Sequence, residues 1–190
     1  MPEKNKQFGE AVKRDPRIED KNFEIERKFL VKTLPSDLDS YPHDEYIQGY
    51  FADEEKRNTR LRKAGDKHYL TRKHGSGLVR REEESEISQE EFDRLWPRTE
   101  GRVVNKTRYF LQAEDSLVYE LDIYHDKLEG FVTVEVEFKP TESSSKKKLK
   151  KMAKKFVPPD WFGEDVTEDK RYSNNSLAVN GLPKDEAATS

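Results

Sequence analysis

Residues 23–31 read F-E-I-E-R-K-F-L-V, and the fold turns on how this stretch is read. Its Phe, Ile, Leu and Val content predicts a strand. A strand sends alternate side chains to opposite faces, so Glu24, Glu26 and Lys28 share one face. Phe23, Ile25, Arg27, Phe29 and Val31 share the other, which is mostly apolar and suits a packed core. The first face needs a reason to hold two carboxylates and an ammonium in a row.

Similar segments recur along the chain. Period-two stretches cover 45–51, 59–63, 67–73, 78–87, 102–110, 117–124 and 132–138. A-G-D at 64–66, G-S-G at 75–77 and A-E-D-S at 113–116 are turn signals between them. With the opening strand this predicts eight strands joined mostly by short turns, an antiparallel sheet curved into a barrel. The fold class is mainly β with a few peripheral helices. Ser88 and Glu91 form a capping box ahead of Phe92, Leu95 and Trp96, and Pro97 ends that helix. A second helix is expected over 146–156, with Leu149, Met152, Ala153 and Phe156 as its apolar stripe and Pro158 and Pro159 as its stop. A short helical turn is expected at 35–38. Residues 1–21 read as a flexible extension, 22–180 as one domain and 181–190 as a loose tail.

Composition narrows the function. The chain has 190 residues, 39% of them charged, with a net charge of -3; the usual charged share is about 25%. Near balance of the two signs argues against a nucleic-acid protein with one basic surface and against a polybasic membrane binder. There is no cysteine, which excludes disulfides and thiolate metal sites and suits a reducing compartment. No apolar run reaches the roughly 20 residues of a membrane span, and the N-terminus lacks a signal-peptide core. A cytoplasmic protein is expected.

Sorting each strand by parity repeats the pattern of the first. Glu135 and Glu137 oppose Val132, Val134, Val136 and Phe138. Glu120 and Asp122 oppose Leu117, Tyr119, Leu121 and Ile123. Lys106 and Arg108 share a face, as do Arg60 and Arg62, and Lys73 joins Tyr69 and Thr71. In 78–87, Arg80, Glu82, Glu84 and Glu86 line up, although the opposite face there is also mixed. A single polar face is ordinarily just solvated. Doublets of Arg or Glu on strand after strand, in a sheet of a size that tends to close, point to a charged interior. Buried charge is unfavourable unless paired, so such a lining fits a hydrated cavity with charged contents. Arg forks take phosphate oxygens, and paired carboxylates take a hard divalent cation such as Mg²⁺ or Mn²⁺. A metal-bound polyphosphate satisfies both.

These motifs resemble the CYTH superfamily, the triphosphate tunnel metalloenzymes. Glu24-Ile-Glu26-Arg-Lys28 is similar to its ExExK signature. The likeness continues through R-L-R at 60–62, L-T-R-K at 70–73, L-V-R-R-E-E-E at 78–84, K-T-R-Y at 106–109, E-L-D at 120–122, V-E-V-E-F at 134–138 and the closing segment 161–174. The resemblance implies an eight-stranded antiparallel tunnel. It implies Glu24, Glu26, Glu82, Glu84, Glu120, Asp122, Glu135 and Glu137 on the metal side. It implies Lys28, Arg60, Arg62, Lys73, Lys106 and Arg108 on the phosphates, with Lys170 and Arg171 at the tunnel's end. Lys28, Glu24 and Glu26 are the candidate catalytic residues. Glu86 and Arg80 fall outside the two-acid row.

Within the superfamily the compact chain is most similar to bacterial inorganic tripolyphosphatases. The implied reaction is Mg²⁺- or Mn²⁺-dependent hydrolysis of tripolyphosphate, a small polyanionic substrate, by a monomer or homodimer. The alternatives are a nucleoside or thiamine triphosphatase, a class IV-type adenylate cyclase, and a module that holds polyphosphate uncleaved. The 21-residue extension and the Ser/Lys-rich insertion at 142–151 depart from the smallest members. His43, His68, His74 and His125 are scattered and read as structural or surface residues.

Overall fold

The computed structural model describes residues 23–52, 58–74, 79–113, 117–139 and 145–184. The extension at 1–21, the turn at 75–77, most of the 113–116 turn and the tail beyond 184 lie outside these, as do the side chains of Lys73 and Arg80. The strands are β1 (Phe23–Val31), β2 (His43–Tyr50), β3 (Asn58–Ala64), β4 (Lys67–His74), β5 (Val79–Ile87), β6 (Val103–Gln112), β7 (Val118–Tyr124), β8 (Val132–Glu137) and β9 (Phe162–Asp165). The helices are α1 (Gln89–Leu95), α2 (Lys146–Lys155) and α3 (Asn174–Asn180).

The sheet runs β5-β4-β3-β2-β6-β7-β8-β1-β9, with a further pairing of β5 to β1. Every described pairing is antiparallel. The β5–β1 contact matches Phe23, Glu24 and Ile25 with Arg81, Arg80 and Val79. Through it the eight expected strands connect in a circuit. Beyond Ile25 that edge of β1 passes to β9, which pairs at Phe29 and Val31. The expected architecture is therefore present, with a ninth strand at the seam. Four residues with no alternation gave β9 no period-two signal, and only the edge of β1 makes it a strand.

Local chemistry explains the turns and caps. Ala64 pairs with Lys67, so Gly65 and Asp66 form a two-residue hairpin loop, and Gly65 takes φ +55°. The Ser88 hydroxyl accepts from the Glu91 amide and starts α1. Ser145 does the same for α2 from Lys148. The short turn near 35–38 is a 3-10 turn displaced to Leu38–Ser40. Helix α3 has no counterpart among the expected elements. Its signal was present in Ser173, whose hydroxyl accepts from the Ser176 amide, and in Leu177, which is buried.

The apolar faces point outward and are covered. Ile25, Phe29, Leu121, Val134 and Val136 pack beneath Leu149 and Ala153 of α2, with Phe156, Trp161 and Phe162 around them. Met152, expected in the α2 stripe, is 44% exposed. Leu61, Leu70 and Ile87 pack beneath Phe92, Leu95 and Trp96 of the α1 region. Arg27 bonds outward: it donates to the carbonyls of Ala153 and Phe156 at the end of α2, pairs with Asp165 of β9 at 2.6 Å, and lies over the Phe29 ring. It thus clamps helix and seam strand to β1 and takes no part in the inner face.

Gly49 in β2 is required by close approach. A Cβ there would meet Thr99 Cγ2 at 2.4 Å and a Trp96 ring carbon at 2.9 Å. Both neighbours belong to the 3-10 turn Trp96–Thr99, which lies against β2. Gly49→Ala should destabilise the protein by about 1–3 kcal/mol through overpacking, read as a lowered midpoint in thermal or urea unfolding.

Candidate active site

The inner face carries the charged rows. Register places Lys28 opposite Glu135 and Glu26 opposite Glu137 across β1 and β8. It places Glu120 opposite Glu135 and Arg108 opposite Asp122 across the neighbouring strands. On the other wall Arg60 faces Thr71, Thr71 faces Glu84, and Lys73 faces Glu82. Acids therefore concentrate on β7, β8, β1 and β5, and bases on β3 and β6. Strand β2 lies between the two basic strands and contributes Tyr46, Gln48 and Tyr50.

The basic residues are buried and held by acids. Arg108 donates Nε to Asp122 Oδ1 at 2.6 Å, Nη2 to Asp122 Oδ2 at 2.7 Å and to Glu135 at 2.6 Å, and Nη1 to Glu120. Burial pulls its pKa down, but Asp122, Glu120 and Glu135 outweigh that and hold it well above the ordinary arginine range. Lys106 is 0% exposed and donates to Asp122. Burial and then the neighbouring Arg108 pull Lys106 down to about 7, against Asp122 and Glu135. Lys28 pairs with Glu135 at 3.2 Å and donates to the Tyr124 hydroxyl at 3.4 Å. Burial lowers its pKa, and the groups around it, Tyr124, Glu135 and Asp122 foremost, raise it overall.

Arg60 donates to Thr71 at 3.2 Å and Glu84 at 3.3 Å; Arg62 donates to Glu84 at 2.9 Å. The Arg62 guanidinium lies between the rings of Tyr46, at 5.2 Å, and Tyr69, at 4.9 Å. Burial, with Arg60 beside it, lowers the Arg62 pKa. The Nε atoms of both Arg60 and Arg62 are buried without a hydrogen-bond partner. Two buried donors lacking acceptors on one strand are costly as they stand.

The carboxylate side is crowded in the opposite sense. Two cross-strand pairs, Glu26 with Glu137 and Glu120 with Glu135, set acid against acid, an unfavourable match by itself. The Glu137 pKa is raised, first by burial and further by Glu120 and Glu24, with Lys139 acting against them. Among the described residues no three such groups already stand in ligand geometry about one point. An all-oxygen set with excess negative charge is nonetheless the donor chemistry that suits a hard divalent cation.

One end of this interior is filled. Val104, Tyr124, Leu128, Phe131, Val166, Tyr172 and Leu177 form a compact apolar cluster with Leu30 and Ala178 at its edge, so α3 makes a floor. Lys170 and Arg171 sit in the exposed 3-10 turn before α3, and Arg171 pairs with Asp169 at 2.7 Å. Lys73 is placed by its register alone. The structure adds Tyr46 and Tyr124 to the lining, beside Tyr69 and Thr71, which parity already places with Lys73. Tyr46 lies near the charged ends of Arg62, Lys106 and Arg108. Parity could have found both, since each lies two residues from another inward position.

No family model matches the sequence. The chain is 43% identical over 158 residues to an inorganic triphosphatase of Nitrosomonas europaea, covering 82% of this chain and 97% of that protein. It is 36% identical over 164 residues to an inorganic triphosphatase of Acetivibrio thermocellus, covering 83% and 94%. A solved crystal structure of an inorganic triphosphatase superposes with a TM-score of 0.60 at 40% identity, over 84% of this chain and 97% of that one.

Proposed function

This chain belongs to the inorganic triphosphatases of the triphosphate tunnel, or CYTH, superfamily, and from that premise we propose that it hydrolyses inorganic tripolyphosphate to pyrophosphate and phosphate. The observation that carries this reading is the pair of buried, partnerless Nε donors of Arg60 and Arg62, set across the barrel from rows of opposed carboxylates. The substrate is read as a small polyanion that competes with Glu84 for these guanidinium groups.

Phosphoryl transfer asks little covalent chemistry of the protein; positioning and charge stabilisation dominate. Arg60 and Arg62 bind phosphate oxygens from β3, and Lys106 and Arg108 from β6. Lys28 lies across from them on the acid side and neutralises the departing pyrophosphate. Water attacks the terminal phosphorus, the bridging P–O bond breaks and its electrons leave with the pyrophosphate, while the protons of the water stay with the orthophosphate formed and pass from it to solvent. Glu24, Glu26 and Glu137 would hold the divalent cation, Mg²⁺ or Mn²⁺, with Glu82 as a further candidate. When bound, that cation screens phosphate charge and acidifies water.

Four acids of the expected metal set take other roles in this reading, Glu120 among them as a partner of Arg108. Both oxygens of Asp122 are occupied by Arg108 and Lys106, so Asp122 orients the bases. Glu135 is divided between Lys28 and Arg108, and Glu84 between Arg62, Arg60 and Thr71. The near balance of charge argues against nucleic-acid and polybasic membrane partners, and the lack of cysteine suits the reducing cytoplasm. Among the described residues no helix is long and apolar enough to cross a membrane.

A phosphate-release panel tests the proposal. Tripolyphosphate, pyrophosphate, ATP and thiamine triphosphate are each supplied with Mg²⁺, Mn²⁺ or EDTA. Tripolyphosphate should be cleaved fastest and EDTA should abolish release. Absence of metal-dependent release from tripolyphosphate would sink the reading. Cyclic nucleotide and pyrophosphate from ATP would replace it with a cyclase.

A further inference from the structure

We propose that Tyr124 and Asn174 are positioning residues for Lys28, which makes helix α3 a working part of the active site as well as its floor. The inference rests on the triphosphatase reading for Lys28's role and on geometry for the rest. Tyr124 is 0% exposed, and its hydroxyl meets three groups. It donates to Asn174 Oδ1 at 2.6 Å, accepts from Lys28 Nζ at 3.4 Å, and lies 3.3 Å from Thr133 Oγ1. A tyrosine hydroxyl has one proton to give. The short bond to Asn174 commits that proton downward, into the floor, and leaves the oxygen lone pairs facing the amine.

Lys28 needs such a second hold. Its ammonium sits on a flexible four-carbon stem, and its carboxylate partner at 3.2 Å is Glu135 on β8. Glu135 is shared with Arg108, so it is committed to the phosphate-binding side as well. The Tyr124 oxygen, in contrast, is anchored by buried packing against Phe131, whose ring centroid is 5.2 Å away. Asn174 is anchored in turn as the first residue of α3, whose cap is Ser173 and whose Leu177 is 2% exposed in the floor cluster. The path Asn174–Tyr124–Lys28 therefore links a rigid helix end to the amine. Simple satisfaction of a buried hydroxyl is the competing explanation, and it predicts no effect on Lys28.

Tyr124→Phe removes the hydroxyl and keeps the ring. The expected result is a kcat on tripolyphosphate with Mg²⁺ lowered about tenfold, the scale of one hydrogen bond, with KM within about twofold. Asn174→Ala should act in the same direction, and the double variant should lose no more than Tyr124→Phe, because both work through one oxygen. Without metal or substrate, the Lys28 Cε resonance should move in both single variants. Wild-type kcat in Tyr124→Phe, additive losses, or an unmoved Lys28 resonance would each overturn the proposal. If Tyr124→Phe fails to fold, Asn174→Ala at the helix end carries the same measurements. Wild-type protein that releases no phosphate defeats the triphosphatase reading alone, and the Lys28 resonance then decides the positioning claim.

Discussion

Asp122→Asn should destabilise the barrel by about 3–5 kcal/mol, the range for removing one member of a buried ion pair. Asp122 and Lys106 are both 0% exposed. The aspartate accepts from Arg108 through both oxygens and from Lys106 through one. Asparagine keeps the shape but supplies one acceptor oxygen and no charge. Arg108 would still have Glu120 and Glu135, so the damage falls mainly on Lys106, which loses its acceptor while buried beside another cation and must shed its proton or remain unpaired. Against a typical domain stability of about 5–15 kcal/mol this is a large share. Adding Lys106→Met removes the stranded amine and should recover part of the loss. Urea unfolding of the wild type, Asp122→Asn and the double variant reads all three values. A wild-type midpoint in Asp122→Asn would contradict the buried-pair account.

Arg60→Ala should lower kcat/KM for tripolyphosphate by roughly 10–10²-fold, the scale for losing a hydrogen bond to a charged group. Most of the loss should appear in KM, because Arg60 meets phosphate in ground and transition states alike. The fold should tolerate the change: Glu84 keeps Arg62 at 2.9 Å and Thr71 at 2.6 Å. Arg60→Lys should fall between the two, since it restores charge but not the planar fork or the Nε donor. Steady-state kinetics beside a thermal melt separate a binding defect from a folding one. Unchanged kinetics in a well-folded Arg60→Ala protein would remove this guanidinium from the site.

Much of the barrel was legible before any coordinates. Alternation is a local property with a period of two, so F-E-I-E-R-K-F-L-V already separated Glu24, Glu26 and Lys28 from Phe29 and Ile25. The same count separated Glu135 and Glu137 from Val134 and Val136. Arg27 could be set aside from the inner face for the same reason, and it does bond outward to α2 and Asp165. The capped start of α1 was legible because Ser88 and Glu91 are three residues apart, within reach of one side chain.

Other features follow from contacts distant in sequence. Strand β9 exists because β1 offers it an edge where β5 departs. Whether an acid meets a base or another acid is set by register. A two-residue slip of β8 on β1 would leave every parity intact, yet move Glu135 from Lys28 to Glu26. Hence the sequence supplied the two sets of charges, and the tertiary structure alone chose the partners. It tied Asp122 to Arg108 and Lys106 and aimed the Tyr124 hydroxyl at Lys28. Faces are determined along the chain by covalent geometry, whereas partners are determined across it by strand register and the closing of the sheet, which no short stretch contains.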